Sequence, residues 1–196
     1  MFNEDNARQK VSEEDLLDFV KNIHTVGDLR TAKIRNSTYK IVLSTMLWKE
    51  YDDFLNIKPD DWQELKYFDA NGEKNKQLNS IPNDKGGIYI YLVKPPIPIR
   101  YIDTILYVGR ARSNGETQNL RKRINHYNTE KNDYINGRPT IRTIFNEYSD
   151  YLYVMYYPLD DNDKIDKLES ELISAIAPTA NKDLKQKALK DGRDSF

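Results

Sequence analysis

A chain of 196 residues accommodates one compact domain, or one catalytic domain with a modest extension, and is too short for two large ones. It contains no cysteine, which excludes disulfides and thiolate metal ligands and suits a cytoplasmic location. The net charge of -1 at pH 7 argues against a general nucleic-acid coat. The sequence shows neither a signal-peptide pattern nor an apolar run long enough for a bilayer, so we expect no membrane association.

The first 80 residues are predicted to form a helical N-terminal extension. Ser12 and the acidic residues after it indicate a helix start, followed by an apolar stripe at helical spacing. A second predicted helix follows Ser37 or Thr38, and a third, short helix follows Pro59. Residues 69–87 then have the composition of a loop or linker.

From residue 87 onward, the apolar pattern changes from the helical period to that of strands. Three runs rich in branched and aromatic residues predict strands, at 87–93, 104–110 and 150–159. Two helical patterns lie between the second and third strands, at 120–128 and 139–149, and a long helix, 164–177, comes last. The predicted order is therefore strand, strand, helix, helix, strand, helix.

Positive charge is concentrated in residues 110–142. This segment carries eight lysines and arginines against three carboxylates, while the flanking segments are acidic. Such a local patch is suited to binding a phosphate backbone. The alternative interpretation is a solvated helical face with no ligand.

Glu169 is the most unusual residue of the last predicted helix. It shares one helical face with four apolar residues, which lie four positions before it and three, four and seven after it: Ile165, Leu172, Ile173 and Ile176. Burying an unpaired carboxylate is costly, so either a divalent cation or a buried arginine must compensate its charge. Glu171, in contrast, lies four residues after Lys167 and is interpreted as half of a solvated helical ion pair.

Several other polar residues have two interpretations from spacing alone. Arg123 lies at the edge of the apolar face of its helix, where it either clamps a phosphate or extends alongside apolar neighbours into solvent. Tyr89 and Tyr107 each lie near a glycine in adjacent predicted strands, a pattern typical of packing residues with a hydroxyl at the rim. His126 has no second histidine at ligand spacing, so a histidine metal site is not expected.

Taken together, these residues resemble the GIY-YIG nuclease family. Gly87-Ile88-Tyr89 matches the first half of the family name, and Tyr107-Val108-Gly109 matches the second with valine for isoleucine. Residues 119–127 resemble the helix that carries the family's arginine, and residues 169–181 resemble its metal-binding helix. The resemblance covers residues 87–181, about half of the chain. Departures are an apparent insertion at 113–118 and a longer loop between the two motif strands.

The resemblance implies a fold, a cofactor and a set of site residues. The fold is α+β, with a small three-stranded antiparallel sheet flanked by helices over residues 81–196, after the helical extension 1–80. The cofactor is Mg2+, with Mn2+ as a substitute, held by Glu169 through a single carboxylate. The implied catalytic residues are Tyr89, Tyr107, Arg123, Tyr127, Glu169 and Asn181, and the implied contacts to substrate are Arg110, Lys122 and His126.

Each implied residue has a role in phosphodiester hydrolysis. Arg123 neutralises charge that develops on the phosphate. Tyr89 is a general base or orients the attacking water, with Tyr107 as its partner, and the base role requires cations that favour the phenolate. Asn181 fixes the active-site end of the last helix by hydrogen bonding.

The expected function is therefore that of a cytoplasmic, metal-dependent endonuclease acting on double-stranded DNA in restriction or phage defence. A single catalytic centre cuts one strand, so a homo-oligomer is one route to double-strand cleavage. One alternative is a nicking nuclease of a phage or mobile element. Another is a DNA-binding module of the same fold that has lost turnover.

Overall fold

Four antiparallel strands form one sheet in the computed structural model, which describes residues 56–96, 103–114, 117–131 and 138–181. The strands are β1 (Gln63–Lys66), β2 (Gly86–Val93), β3 (Thr104–Ala111) and β4 (Leu152–Leu159). Their order across the sheet is β1-β4-β2-β3, and every neighbouring pair is antiparallel. Strand β3 is therefore at one edge, beside the central strand β2.

Three α-helices accompany the sheet within the described ranges: α1 (Leu120–Glu130), α2 (Pro139–Glu147) and α3 (Asn162–Ile176). Helix α1 begins after Asn119, whose side chain accepts a hydrogen bond from the backbone N–H of Lys122. Asp161 caps α3 in the same way. Pro139 is the first residue of α2. The backbone N–H at this position has no partner within a helix, so proline, which lacks it, loses no hydrogen bond there. None of the described helices combines the length and apolar character that a membrane span needs.

Helices pack on both faces of the sheet, so strand β2 is buried on both sides. Ile88 and Ile90 belong to one apolar cluster with α3, which includes Ile165, Leu168 and Leu172. Tyr89 and Tyr91 point the other way and belong to a second cluster with α1 and α2, which includes Ile124, Ile144 and Phe145. The alternation follows from the two-residue period of side chains along a strand.

The predicted α+β class is confirmed, but the sheet has four strands rather than three. The additional strand lies where a helix is predicted after Pro59. Only a single 3-10 turn, Pro59–Asp61, forms there, and β1 follows it and pairs with β4 from Gln63 opposite Tyr156 to Lys66 opposite Tyr153. Pairing with a strand about 90 residues later in the chain outweighs a weak local preference for helix.

From residue 87 onward, each predicted strand and helix is present, with ends within two residues of those predicted. The helices predicted after Ser12 and after Ser37 or Thr38 lie outside the described residues. Residues that precede the predicted boundary at residue 80 also contribute to the folded domain. They include β1 and the buried residues Tyr67, Phe68 and Leu78. These belong to the same sheet and core as β2, and all described residues belong to one compact unit.

Candidate functional site

A cavity of about 570 Å³ lies beside the edge strand β3. No further strand pairs with the outer side of β3 in the described sheet. The cavity is therefore lined both by α1, on one face of the sheet, and by α3, on the other. Seven of the nine residues predicted for the site line this cavity: Tyr89, Tyr107, Arg110, Lys122, Arg123, His126 and Glu169. Of the other two, Tyr127 contacts the lining tyrosines and Asn181 lies behind β3.

Three tyrosine hydroxyls form a connected group, here called the phenol cluster: Tyr89, Tyr107 and Tyr127. The hydroxyl oxygens of Tyr89 and Tyr127 are 2.5 Å apart. The hydroxyl of Tyr127 also donates to that of Tyr107 at 3.5 Å. Tyr127, fully buried on α1, therefore connects the two tyrosines that the motif strands supply.

Burial raises the pKa of the two phenol-cluster tyrosines that line the cavity, Tyr89 and Tyr107. It raises the pKa of Tyr89 well above the usual 10, and the neighbouring phenols of Tyr127 and Tyr107 raise it further, while Arg123 partly opposes them. Burial, together with Tyr127, also raises the pKa of Tyr107 to about 12. Both residues therefore act as neutral hydrogen-bonding groups in this environment, which suits orientation of a water better than removal of its proton.

Arg123 extends from α1 into the cavity. Its Nε donates to the hydroxyl of Tyr89 at 3.4 Å, and its guanidinium lies 5.2 Å from the ring centroid of Tyr127. Arg123 therefore lines the cavity with its guanidinium beside the hydroxyl of Tyr89.

Gly109 allows the two motif tyrosines to approach each other. Tyr89 lies directly opposite Gly109 in the pairing of β2 with β3. A Cβ atom added at Gly109 would be 2.5 Å from Cζ of Tyr89 and 2.7 Å from Cε1 of Tyr107. The glycine of the second motif is thus required for space, which sequence spacing alone does not reveal.

Gly87 of the first motif is required for a different reason. Its φ is +147°, a conformation that residues with a side chain rarely adopt, and an added Cβ would contact the backbone of Tyr157 and Pro158.

Glu169 enters the cavity from α3 with its side chain 13% exposed. Arg110 of β3 forms an ion pair with it, and the Nε of Arg110 is also 2.9 Å from Oδ1 of Asp166, one turn earlier on α3. Arg112 bonds to Asp166 as well. The compensating charge expected at Glu169 is thus supplied by an arginine in this structure. Asp166 was not singled out from the sequence, although its spacing of three residues from Glu169 places both carboxylates on one side of α3.

The donor atoms at Glu169 decide which metals it suits. No group of three or more histidine or carboxylate side chains in the described ranges is arranged to hold a metal ion, and Glu169 is the carboxylate among the described cavity-lining residues. Tetrahedral zinc needs three or four protein ligands and does not fit this donor set. Mg2+ does fit, because water and substrate phosphate supply most of its octahedral shell, although it would share the carboxylate with Arg110.

The interpretation of Glu171 as a solvated pair is wrong in one respect. Its Oε1 is 3.8 Å from Nζ of Lys167, as the helical spacing predicts. However, Glu171 is buried, with only 8% of its surface exposed. Helical spacing reports which residues are neighbours on α3, whereas burial depends on the elements packed around it.

Asn181 is joined to the edge strand. Its Oδ1 accepts from the backbone N–H of Val108 at 2.9 Å, and its Nδ2 donates to the carbonyl of Val108 at 2.8 Å. The N–H of Ala180 also donates to the carbonyl of Leu106. These bonds attach the segment after α3 beside Tyr107 and Gly109, which is the anchoring arrangement expected of Asn181.

Arg138 contacts the phenol cluster but was counted from the sequence only as part of the basic segment. It precedes α2, and its guanidinium binds Glu130 through Nε at 2.8 Å and Nη2 at 3.1 Å. Its Nη1 donates to the hydroxyl of Tyr107 at 3.5 Å. The position of Arg138 directly before Pro139 marks a helix start, but no local pattern links it to a strand tyrosine.

The cavity is positively charged. Its described lining contains four lysine and arginine side chains, Arg110, Arg112, Lys122 and Arg123, against the single carboxylate of Glu169. The near-neutral charge of the whole chain conceals this local excess, which would attract an anionic ligand.

Comparison with known proteins gave no match: no protein-family model, curated protein or solved structure is significantly similar to the chain. The structure itself defines an α+β domain with a four-stranded antiparallel sheet and a cationic, tyrosine-lined cavity at its edge.

Proposed function

We propose that this chain is a metal-dependent endonuclease of the GIY-YIG type that hydrolyses DNA phosphodiester bonds in the cavity beside β3. The observation that carries the proposal is a convergence of four side chains. Tyr89 of β2, Tyr107 of β3, Arg123 of α1 and Glu169 of α3 line one cavity, although they are spread over 81 residues of sequence. The sequence resemblance assigns chemistry to these same four residues.

The charge of the cavity supports a phosphodiester as substrate. A bound phosphate would meet the guanidinium of Arg123 and the side chains of Arg110 and Lys122. Double-stranded DNA is the proposed polymer, because the positive charge is local and no RNA-binding module is visible in the sequence. Restriction or phage defence is the proposed setting.

Arg123 would contribute most when charge develops on the phosphate. Its guanidinium is half-buried and already directed into the cavity beside Tyr89. A cation that is preorganised in a partly desolvated site stabilises a transition state more than a solvated one does. The neutral hydroxyls of Tyr89 and Tyr107 would orient the attacking water and the phosphate oxygens.

Glu169 would hold Mg2+, and Mn2+ would serve in its place. The metal, when bound, would stabilise negative charge on the phosphate and the leaving oxygen. Arg110 already contacts this carboxylate, so it would remain beside the metal or move onto the substrate phosphate.

One observation favours a second candidate function, that of a DNA-binding module without turnover. The ion pair between Arg110 and Glu169 satisfies the carboxylate with a protein cation. A cavity stabilised in this way would still bind phosphate through Lys122 and Arg123.

A plasmid-nicking assay separates the two functions. The full chain is incubated with supercoiled plasmid and Mg2+, and with EDTA in a parallel sample. The nuclease proposal expects nicking with Mg2+ that EDTA abolishes and that Glu169→Ala reduces by about a hundredfold or more. Asp163→Ala is the matched control, because Asp163 is an exposed carboxylate on the same helix that does not line the cavity.

Nicking by Glu169→Ala at the wild-type rate would overturn the assigned site. Gel retardation by the wild-type chain with no nicking under any metal would support the binding module instead.

A further inference from the structure

The phenol cluster has a guanidinium at each end. Arg123 donates to the hydroxyl of Tyr89 at 3.4 Å, and Arg138 donates to that of Tyr107 at 3.5 Å. The third hydroxyl, of Tyr127, lies between the two. Both cations also lie over the ring of Tyr127, with Cζ at 5.2 Å and 5.0 Å from its centroid.

Arg138 is held in a defined orientation. Two of its nitrogens bind the two carboxylate oxygens of Glu130, and its backbone N–H donates to the same carboxylate at 3.0 Å. This fork-to-fork pairing fixes the plane of the guanidinium. The remaining nitrogen, Nη1, is the one that faces Tyr107.

The hydrogen bonds at Tyr107 determine where its own hydrogen points. A phenol oxygen accepts up to two hydrogen bonds and donates one. Tyr107 accepts from Arg138 and from Tyr127, so its acceptor positions on the protein side are filled. Its hydrogen is therefore directed elsewhere, and Tyr107 lines the cavity.

The same reasoning determines which hydrogen bonds the other two hydroxyls donate and which they accept. Because Tyr127 donates to Tyr107, it must accept from Tyr89 across their 2.5 Å contact. The oxygen of Tyr89 accepts from Arg123, and the Tyr89 side chain itself is fully buried. The cluster thus presents a donor to the cavity at the partly exposed Tyr107.

We propose that Arg138, held by Glu130, is a positioning residue that orders the phenol cluster so that Tyr107 donates its hydrogen into the cavity. The importance of this order for catalysis rests on the proposed nuclease function, whereas the order itself does not. In that function, Tyr107 would donate to an oxygen of the bound phosphate.

A merely structural role for Arg138 would be to join the end of α1 to the start of α2 through Glu130. Such a role predicts a loss of stability on substitution without a specific change at Tyr107. The decisive measurement must therefore report on the Tyr107 hydroxyl itself.

The first experiment places 3,5-difluorotyrosine, which ionises at lower pH than tyrosine, at position 107 and follows its titration by 19F NMR. In Arg138→Gln the pKa at this position should rise by about half a unit to one unit, because a cation and a hydrogen bond to the phenolate are lost. Arg142→Gln, the same substitution one turn further along α2, should leave it unchanged. Arg138→Lys keeps the charge without the fork, so an intermediate rise is expected, and it serves if Arg138→Gln does not fold.

The second experiment measures DNA nicking in a double-mutant cycle. Arg138→Gln should lower kcat about tenfold with little change in KM, and this loss should disappear in a Tyr107→Phe background. An equal loss in both backgrounds, or an unchanged pKa at position 107 in the first experiment, would overturn the positioning role. If the wild-type chain does not cut DNA, the nuclease proposal fails while the 19F titration still decides the role of Arg138.

Discussion

Substitution of Gly109 by alanine tests whether the cavity depends on close contact between the two motif tyrosines. The added methyl carbon would lie 2.5 Å from Cζ of Tyr89 and 2.7 Å from Cε1 of Tyr107. Carbon atoms in contact are normally about 3.5–4.0 Å apart, so one ring must move by about 1 Å. Tyr89 is fully buried and has other tyrosine rings packed around it, so this movement disturbs the whole phenol cluster.

The expected cost follows from that displacement. Overpacking of a filled core typically destabilises a protein by about 1–3 kcal/mol. Misplacement of a catalytic group by about 1 Å can slow a reaction about a hundredfold. We therefore expect Gly109→Ala to remain folded but less stable in urea denaturation, and to nick plasmid about a hundredfold more slowly than the wild type.

Gly72→Ala is the matched control, since it also adds one methyl group. Gly72 has a φ of +75° and nothing within 4 Å of an added Cβ, and it does not line the cavity. Its substitution should cost about 1–2 kcal/mol through the backbone alone and leave the nicking rate unchanged for the folded protein. A Gly109→Ala protein with wild-type stability and wild-type nicking would refute the assigned packing of Tyr89 and Tyr107.

Two further predictions concern individual charges. Arg123→Ala should slow nicking by about a hundredfold or more while changing DNA affinity in gel retardation by less than about tenfold, because its proposed contribution arises in the transition state; equal losses in both would contradict this. For Tyr107, the pKa in the folded protein, about 12, is above the unfolded value of 10. Its contribution to stability is therefore complete below pH 10 and is lost as the pH rises from 10 to 12, by up to about 1.4 kcal/mol per pH unit. Urea denaturation across this range should show a shallower decline for Tyr107→Phe, and identical slopes would exclude the raised pKa.

Much of the domain could be predicted from local pattern. Strands β2, β3 and β4 and helices α1, α2 and α3 begin and end within two residues of the predicted positions. Their side-chain periods repeat over at least eight residues, long enough for burial of one face or both to be visible in the sequence. The same logic identified Glu169, because a carboxylate within an apolar stripe needs a compensating charge whatever the rest of the fold.

The identity of that charge could not be predicted in the same way. Arg110 is 59 residues from Glu169 in sequence, and only the packing of α3 beside β3 brings the two together. The contacts of Arg138 with Tyr107, and of Gly109 with the ring of Tyr89, likewise depend on how helices and strands are placed against each other. Strand β1 was missed because its four residues are too few to show a period, and its pairing with β4 is non-local.

The sequence by itself thus determined the order and type of the elements after residue 87 and the residues whose chemistry needed an explanation. Tertiary structure decided which of these residues meet, how many strands share the sheet, and that a cationic cavity lies at its edge. The physical reason is that periodicity records how each segment divides its surface between core and solvent, whereas ion pairs, shared hydroxyl networks and steric space depend on segments that are distant in the chain.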